Sequence, residues 1–244
     1  AAGAPAMSVR AQAALAWGAS FLLCALPWLL TAAAAPARFA DFPPRGLTQE
    51  LWSSPQHWAI MAAVAVLFEP VTWLIHKHVM HGGLWCVHED HHADTAYTRP
   101  ELYKNDFFPL VFAVPSSAVA CWVLAGLVPR AGASAVLGAL VYGLAYLYVH
   151  EEIFHHRFGL PLSARVRRHP YLKRLATAHG AHHGMKSGPG VAYGFLYAPP
   201  RFGAGRAPAR WLPSRGEETL LGYYGPLFGC YGPSDCDPPA HKAE

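Results

Sequence analysis

The pattern that most narrows what this chain can become is a doubled set of histidines, each set following an apolar run. His76, His78, His81, His88, His91 and His92 fall within seventeen residues. A second set follows at His150, His155 and His156, then at His179, His182 and His183. Each set holds an H-x4-H pair and then H-x2-H-H. Imidazole is a ligand that suits iron, zinc, copper and nickel. On an α-helix each residue turns the side chain by about 100°. The histidines of H-x2-H-H then lie at about 0°, 300° and 40°, within one stripe. His88, His91 and His92 are expected to point the same way, as are His179, His182 and His183, so each box could grip one ion. The H-x4-H pairs fit less well, because five steps separate their rings by about 140°. His76 with His81, and His150 with His155, need a helix end, a bulge or two different ions. His78, three residues before His81, is a rival ligand on local geometry.

Other histidines carry a plainer expectation. His57 and His241 read as surface or hydrogen-bonded core residues, and so do His78, His156 and His169, which lack a full box. The histidines of the four boxes do not fit that account, since so many neutral imidazoles have little structural use together. Their spacing also differs from a contiguous histidine-rich tract.

Only 14% of the 244 residues are charged and 53% are hydrophobic. An average soluble domain is about 25% charged. With a mean hydropathy of +0.16, the chain reads as one integral membrane domain. After a short tail over residues 1–10, Ala11 to Ala35 is apolar and long enough for a transmembrane helix, which needs about 20 residues. A signal sequence is the other reading of this run, although it exceeds the usual 7–15-residue apolar core. Residues 36–56 hold four prolines and read as a loop. His57 to Ile75 is the second apolar run and stops at His76. Glu69-Pro70 interrupts it, and a carboxylate at that depth is costly enough to hint at function. The plainer account is a kink at Pro70 with Glu69 reaching a polar neighbour.

Residues 82–106 are polar. Phe107 to Val128 is the third run, with Pro115 as a candidate kink, and Pro129-Arg130-Ala131-Gly132 forms a tight turn. Ala133 to Val149 is the fourth run and stops at His150; its glycines and alanines permit close helix packing. The five cysteines make no zinc or redox motif. Cys24 and Cys121 read as packing residues, while Cys230 and Cys236 could pair. From His150 to Arg215 the chain is basic, with Arg157, Arg165, Arg167, Arg168, Lys173, Arg174, Lys186, Arg201, Arg206, Arg210 and Arg215 opposed by Glu151 and Glu152. The positive-inside rule puts this segment on the cytoplasmic face, or the stromal face of a plastid membrane. Four spans, at about 11–35, 57–75, 107–128 and 133–149, bring the clusters at 76–92 and 150–183 to that same face. There is no Walker or dinucleotide-binding glycine loop, and no nucleic-acid partner is expected. Residues 201–244 form a tail without a clear signal.

The boxes in this order resemble the membrane-bound di-iron fatty-acid hydroxylase superfamily. Within it, residues 66–200 resemble the β-carotene 3-hydroxylases. The resemblance is carried by Glu69 through His92 (EPVTWLIHKHVMHGGLWCVHEDHH), Lys104-Asn105-Asp106-Phe107, Phe112-Ala113-Val114-Pro115 and Tyr142-Gly143-Leu144-Ala145-Tyr146. Tyr148 through Phe158, Ala178 through His183 and Tyr193-Gly194 complete it. Carried over by position, the metal ligands would be His76, His81, His88, His91, His92, His150, His155, His179, His182 and His183. Glu69, Asn105, Asp106 and Glu151 would support them. Two departures stand out: His150-Glu151 where the family commonly reads His-Asp, and His156 where a non-histidine is frequent.

The resemblance implies an all-α integral membrane four-helix bundle. A histidine-rich di-metal site would form a cap at the cytoplasmic membrane face, within a domain spanning residues 11–200. It implies two iron ions, replaceable by zinc on isolation, and O2 as co-substrate. Carbon 3 of each β-ionone ring of β-carotene would be hydroxylated, giving β-cryptoxanthin and then zeaxanthin. Ferredoxin or a similar carrier would supply electrons, since the sequence holds no flavin or nicotinamide site. The alternatives are a hydroxylase or desaturase acting on another membrane lipid, a fatty acyl chain or a sterol, and a non-enzymatic metal-binding membrane protein. The last expects ligands at membrane depth, whereas these boxes begin where the apolar runs stop.

Overall fold

The computed structural model describes residues 9–34, 36–39, 46–93, 104–157, 160–184, 191–205, 219–224 and 227, with side chains from 22 onward except at 38, 39, 48, 204, 205, 221 and 222. Phe158, Lys186, Arg206, Arg210, Arg215, Cys230, Cys236 and His241 lie outside these residues. The described chain is helical: α1 (Val9–Ala34), α2 (Leu47–Ser53), α3 (Pro55–Ile75), α4 (Trp85–Ala93), α5 (Phe108–Leu124), α6 (Ala131–Leu147), α7 (Ser163–Val166), α8 (Pro170–Gly184) and α9 (Leu220–Tyr224). Two π-helical stretches, His76–Gly83 and Tyr148–Phe154, continue α3 and α6 without a break. The chain divides into two compact units, Ala1–Phe68 with Arg99–Leu144, and Glu69–Thr98 with Ala145–Glu244.

In the first unit, Pro27 leaves α1 without one backbone N–H. The Cys24 and Pro27 carbonyls accept from the Ser117 hydroxyl (2.5 Å) and the Cys121 thiol (3.5 Å) of α5, and Trp28 donates to Ser117 at 3.0 Å. Cys24 and Cys121 are free thiols packed in this contact, as packing residues should be. Helix α6 approaches α3 closely at Gly138, where an added Cβ would lie 2.5 Å from the Met61 carbonyl oxygen. Phe68 packs on Phe112 and Tyr142 at centroid distances of 5.4 and 5.7 Å. His57 is a hydrogen-bonded core residue, as its isolation in sequence implies. Its Nδ1 meets the Ser134 hydroxyl at 2.6 Å and its Nε2 lies 3.5 Å from Glu50, which also pairs with Arg130.

Two sequence expectations need correction. Residues 36–56 are not wholly loop: Leu47–Ser53 is a helical turn and α3 begins at Pro55, whose missing N–H costs nothing at a helix start. The third helix stops at Leu124 rather than Val128. Gly126 adopts φ +68°, and bonds from Gly126 to Val123 (3.0 Å) and from Leu127 to Trp122 (2.8 Å) close the helix end in a Schellman motif.

Among the described residues, three helical segments are long and apolar enough to cross a membrane: Pro55–Gly83, Lys104–Leu124 and Ala131–Phe154; a shorter apolar stretch covers Leu22–Ala34. Large apolar side chains on these helices, including Val66 and Leu140, are more than half exposed. A water-soluble fold seldom leaves so much contiguous apolar surface uncovered. Among the described residues the fold is all-α with several candidate membrane spans.

The second unit is built around Trp73, Val149, Ile153, Leu172, Leu175 and Ala178. The irregular segment 191–199 contributes Ala192, Tyr193 and Ala198 to the same core. From beyond residue 200, Phe202, Tyr223 and Tyr224 are buried in the same core, so parts of the featureless tail belong to this unit's packing.

Candidate metal centre

All the box histidines lie in the second unit. The H-x4-H pairs are resolved by the π-helices. With i→i+5 hydrogen bonding, residues five apart stack one turn above another, so the ring pairs that an α-helix would splay are brought together. His76 and His81 have ring centroids 5.0 Å apart, and His150 and His155 4.8 Å. Of the three readings left open by spacing, the bulge is the one adopted. At Gly82 the backbone departs from helical geometry (φ −104°, ψ −115°). The chain turns there into α4, which carries His88, His91 and His92.

The nitrogens fall into two adjacent groups. His76, His81, His88, His92 and His182 form the first, and His91, His155, His179 and His183 the second, with ligand atoms within 4.8 Å of one another in each. The expectation that each H-x2-H-H box grips one ion is therefore corrected. His91 leaves its box for the second group, and His182 leaves its box for the first. In both boxes the defector is the middle histidine, which sits about 60° to one side of the first ring while the third sits about 40° to the other. That divergence lets one helix serve two neighbouring centres. The groups share a wall, with His92 stacked on His183 at 4.4 Å.

His150 belongs to neither group by that measure. Its Nδ1 donates to Glu151 Oε1 at 2.7 Å, and its Nε2 is buried without a hydrogen-bond partner. Its ring lies 4.9, 4.8 and 4.9 Å from those of His91, His155 and His179. Arg157 in turn donates to Glu151 Oε2 at 3.0 Å.

The donor set fits metal ions. In the first group the Nε2 atoms of His76 and His88, of His88 and His92, and of His81 and His182 lie 3.1, 3.2 and 3.1 Å apart. In the second, His155–His179 and His91–His183 are at 2.9 and 3.1 Å. Two imidazoles bound at about 2.1 Å to one ion, at right angles, would stand about 3 Å apart. His76 Nδ1 donates to the Tyr193 carbonyl (2.9 Å) and His182 Nδ1 to the Val191 carbonyl (3.0 Å). Since a carbonyl only accepts, both rings carry the proton on Nδ1 and turn a lone pair on Nε2 toward the group. Converging lone pairs in a buried site call for a cation. Burial, and then the nearby imidazoles, hold His91, His179, His182 and His183 well below the ordinary histidine range and lower His92 to about 3. These rings are neutral at pH 7, the form that binds metal.

The remaining candidates separate clearly. His78 is exposed and outside both groups, as is His156. His156 sits at φ +58°, accepting from Arg167 at 2.5 Å. Asn105 is buried and Asp106 half-buried just before α5, in the first unit. Glu69 is buried, and its carboxylate accepts three successive backbone N–H groups. Phe195, Leu196 and Tyr197 donate to Oε1 at 2.9, 3.0 and 3.0 Å, and Leu196 also reaches Oε2 at 3.1 Å. Each such donor left without an acceptor would cost ~1–3 kcal/mol. An aromatic lining, which the sequence reading did not single out, completes the site: Phe195 stacks on His76 (4.8 Å), Tyr146 on His150 (5.0 Å) and Phe154 on His179 (4.6 Å).

An all-α, multi-span protein with paired histidine groups able to chelate metal is the class so defined. Residues 61–198 match the family model for fatty acid hydroxylase, and the chain belongs to that family. It is 35% identical over 144 residues to β-carotene hydroxylase 2, chloroplastic, of Capsicum annuum, covering 58% of this chain and 44% of the relative. It is also 35% identical over 144 residues to the β-carotene hydroxylase of Pantoea ananas, covering 58% of this chain and 78% of the relative. To the β-carotene hydroxylase of Paracoccus sp. (strain N81106 / MBIC 01143) it is 32% identical over 148 residues, covering 59% and 85%. The chain thus spans less than half the length of the chloroplast relatives it matches. No solved structure matches it significantly.

Proposed function

We propose that the protein is an O2-dependent di-iron hydroxylase acting on carbon 3 of the β-ionone rings of β-carotene, giving β-cryptoxanthin and then zeaxanthin. The observation that carries this reading is the sorting of nine box histidines into two adjacent nitrogen groups, in a chain similar to β-carotene hydroxylases from plants and bacteria. His76, His81, His88, His92 and His182 would hold one iron. His91, His155, His179 and His183 would hold the other, with His150 completing it through its unpartnered Nε2. With His150 counted, five nitrogens would face each ion, one more than tetrahedral zinc uses, which suits iron.

When bound, the two irons would supply the reductive activation of O2 that C–H hydroxylation needs. The protein's own part is orientation and exclusion. The Tyr193 and Val191 carbonyls fix the tautomers of His76 and His182, and Glu151, steadied by Arg157, fixes His150. Phe195, Tyr146 and Phe154 cover ring faces that water would otherwise reach. A hydrocarbon substrate would come from the bilayer, in keeping with the apolar helices of the chain. The catalytic domain would comprise residues 11–200 with α1 as a fourth span and the metal site on the cytoplasmic or stromal face. Ferredoxin or a similar carrier would supply electrons.

Expression in cells that accumulate β-carotene, with chromatography of the pigments, tests the reading. Zeaxanthin and β-cryptoxanthin should appear. Unchanged β-carotene alongside newly hydroxylated or desaturated acyl chains or sterols would replace the substrate assignment.

A further inference from the structure

We propose that Glu69 is a positioning residue for one ion site only: it holds in place the backbone segment that orients His76 and His182. The inference rests on the two-ion reading above.

Glu69 and His76 are seven residues apart. Seven helical steps return a side chain to within about 20° of its starting direction and about 10 Å further along the axis. Both therefore face one line, and Val191–Tyr197 runs along it. At one end of this segment, the N–H groups of Phe195, Leu196 and Tyr197 converge on the Glu69 carboxylate. Successive N–H groups turned toward one point make an anion-binding concavity, and here the carboxylate fills it. Further back, the Tyr193 carbonyl receives His76 Nδ1–H, and further still the Val191 carbonyl receives His182 Nδ1–H. Both rings belong to the first group.

Core burial of Ala192 and Tyr193 and the Tyr171 and Tyr223 hydroxyls on the Leu196 and Tyr197 carbonyls also hold the segment, but Glu69 is the anion on which its successive N–H groups converge. Ala192 is at φ +58°, a conformation unfavourable for a residue with a Cβ. At Gly194 a Cβ would lie 2.8 Å from Glu69 Oε1 and 2.7 Å from the Tyr223 ring, so the backbone passes as close to the carboxylate as glycine allows. The second group draws on different support, the Glu151 carboxylate acting on His150. Removing Glu69 should thus release the first group's tautomers and leave the second group's orientation intact.

The test counts iron per chain in the full-length protein, purified in nanodiscs, loaded anaerobically with ferrous iron and dialysed. Wild type should retain two irons and Glu69→Ala one, with the lost ion bound at least tenfold more weakly. Adding His182→Ala to Glu69→Ala should remove no further iron, whereas adding His91→Ala should remove the second. Gly194→Ala, which leaves the carboxylate present but displaces the segment, should reproduce the single loss. Glu69→Gln, which keeps one acceptor oxygen, should weaken one ion less severely, and it decides the matter if the alanine variant does not accumulate. Two irons held at unchanged affinity, or equal weakening of both with helix content preserved, would overturn the proposal. A wild-type chain that never binds two irons would instead overturn the dinuclear reading, so the two failures are distinguishable.

Discussion

At the scale of single residues, the sorting of histidines makes unlike predictions for neighbours. His91 and His182 are the residues that cross from their own box to the other group. His91→Ala should lose iron from the second group and His182→Ala from the first, and either should abolish hydroxylation, since a surrounding residue cannot replace a lost ligand. His78→Ala and His156→Ala should keep both irons and substantial activity. Metal analysis beside pigment chromatography checks all four, and a halved iron content in either of the last two would redraw the ligand set. The histidines that gather into the two groups were legible as candidate ligands because box spacing is local. It did not reveal the crossover, because spacing fixes a ring's direction about its own helix and says nothing of where a neighbouring helix places its rings. Glu69 shows the same limit. Its depth in an apolar run marked it as unusual, but its partners lie more than 120 residues away, beyond any periodic signal.

At the scale of elements, the π-helices are what turn a poor helical spacing into a usable one. An α-helix would place His76 and His81 about 140° apart; the π-helix His76–Gly83 puts both in one group. Deleting Val79, which is exposed, would let this stretch relax to an α-helix and bring His76 and His81 to i,i+4 spacing. That should rotate His76 relative to the helix beyond it and lose the first group's iron. The second group's iron should remain, measurable as one iron per chain, and two irons in the deletion variant would show that the extra residue has no such role. The apolar helices themselves were legible, because a run long enough to span a bilayer leaves little else to be read. Their ends were less so. Leu124 closes α5 through Gly126, and Leu47–Ser53 forms inside a stretch whose prolines read as loop. The burial of Tyr223 and Tyr224 was illegible, since residues rich in Gly, Pro and Tyr carry no periodicity that announces a core face.

At the scale of the whole molecule, the proposed delivery of electrons to the metal site makes a prediction about charge. The plainer account of the basic stretch after His150 is topological: these residues hold their segment on one face and meet anionic headgroups. The structure separates residues with internal duties from those without. Arg157 is bound to Glu151, Arg167 donates to His156 and lies 4.0 Å from Glu152, and Arg174 stacks over Tyr171. Arg165, Arg168 and Lys173 are exposed. Lys173 shares α8 with His179, six residues on, or about 9 Å along the axis. An acidic carrier drawn to these three cations would dock close to the metal site. Complementary charge of this kind acts mainly on the association rate and is screened over about 8 Å at physiological ionic strength. Replacing Arg165, Arg168 and Lys173 together by glutamine should slow ferredoxin-supported turnover several-fold at low salt, and the deficit should shrink as salt rises. Iron content should not change, and turnover driven by a small uncharged reductant should be spared. Adding Arg167 to the set would confuse the result, because its loss also strips His156 and Glu152 of a partner. Equal slowing with both reductants, or a deficit indifferent to salt, would leave the topological account standing alone.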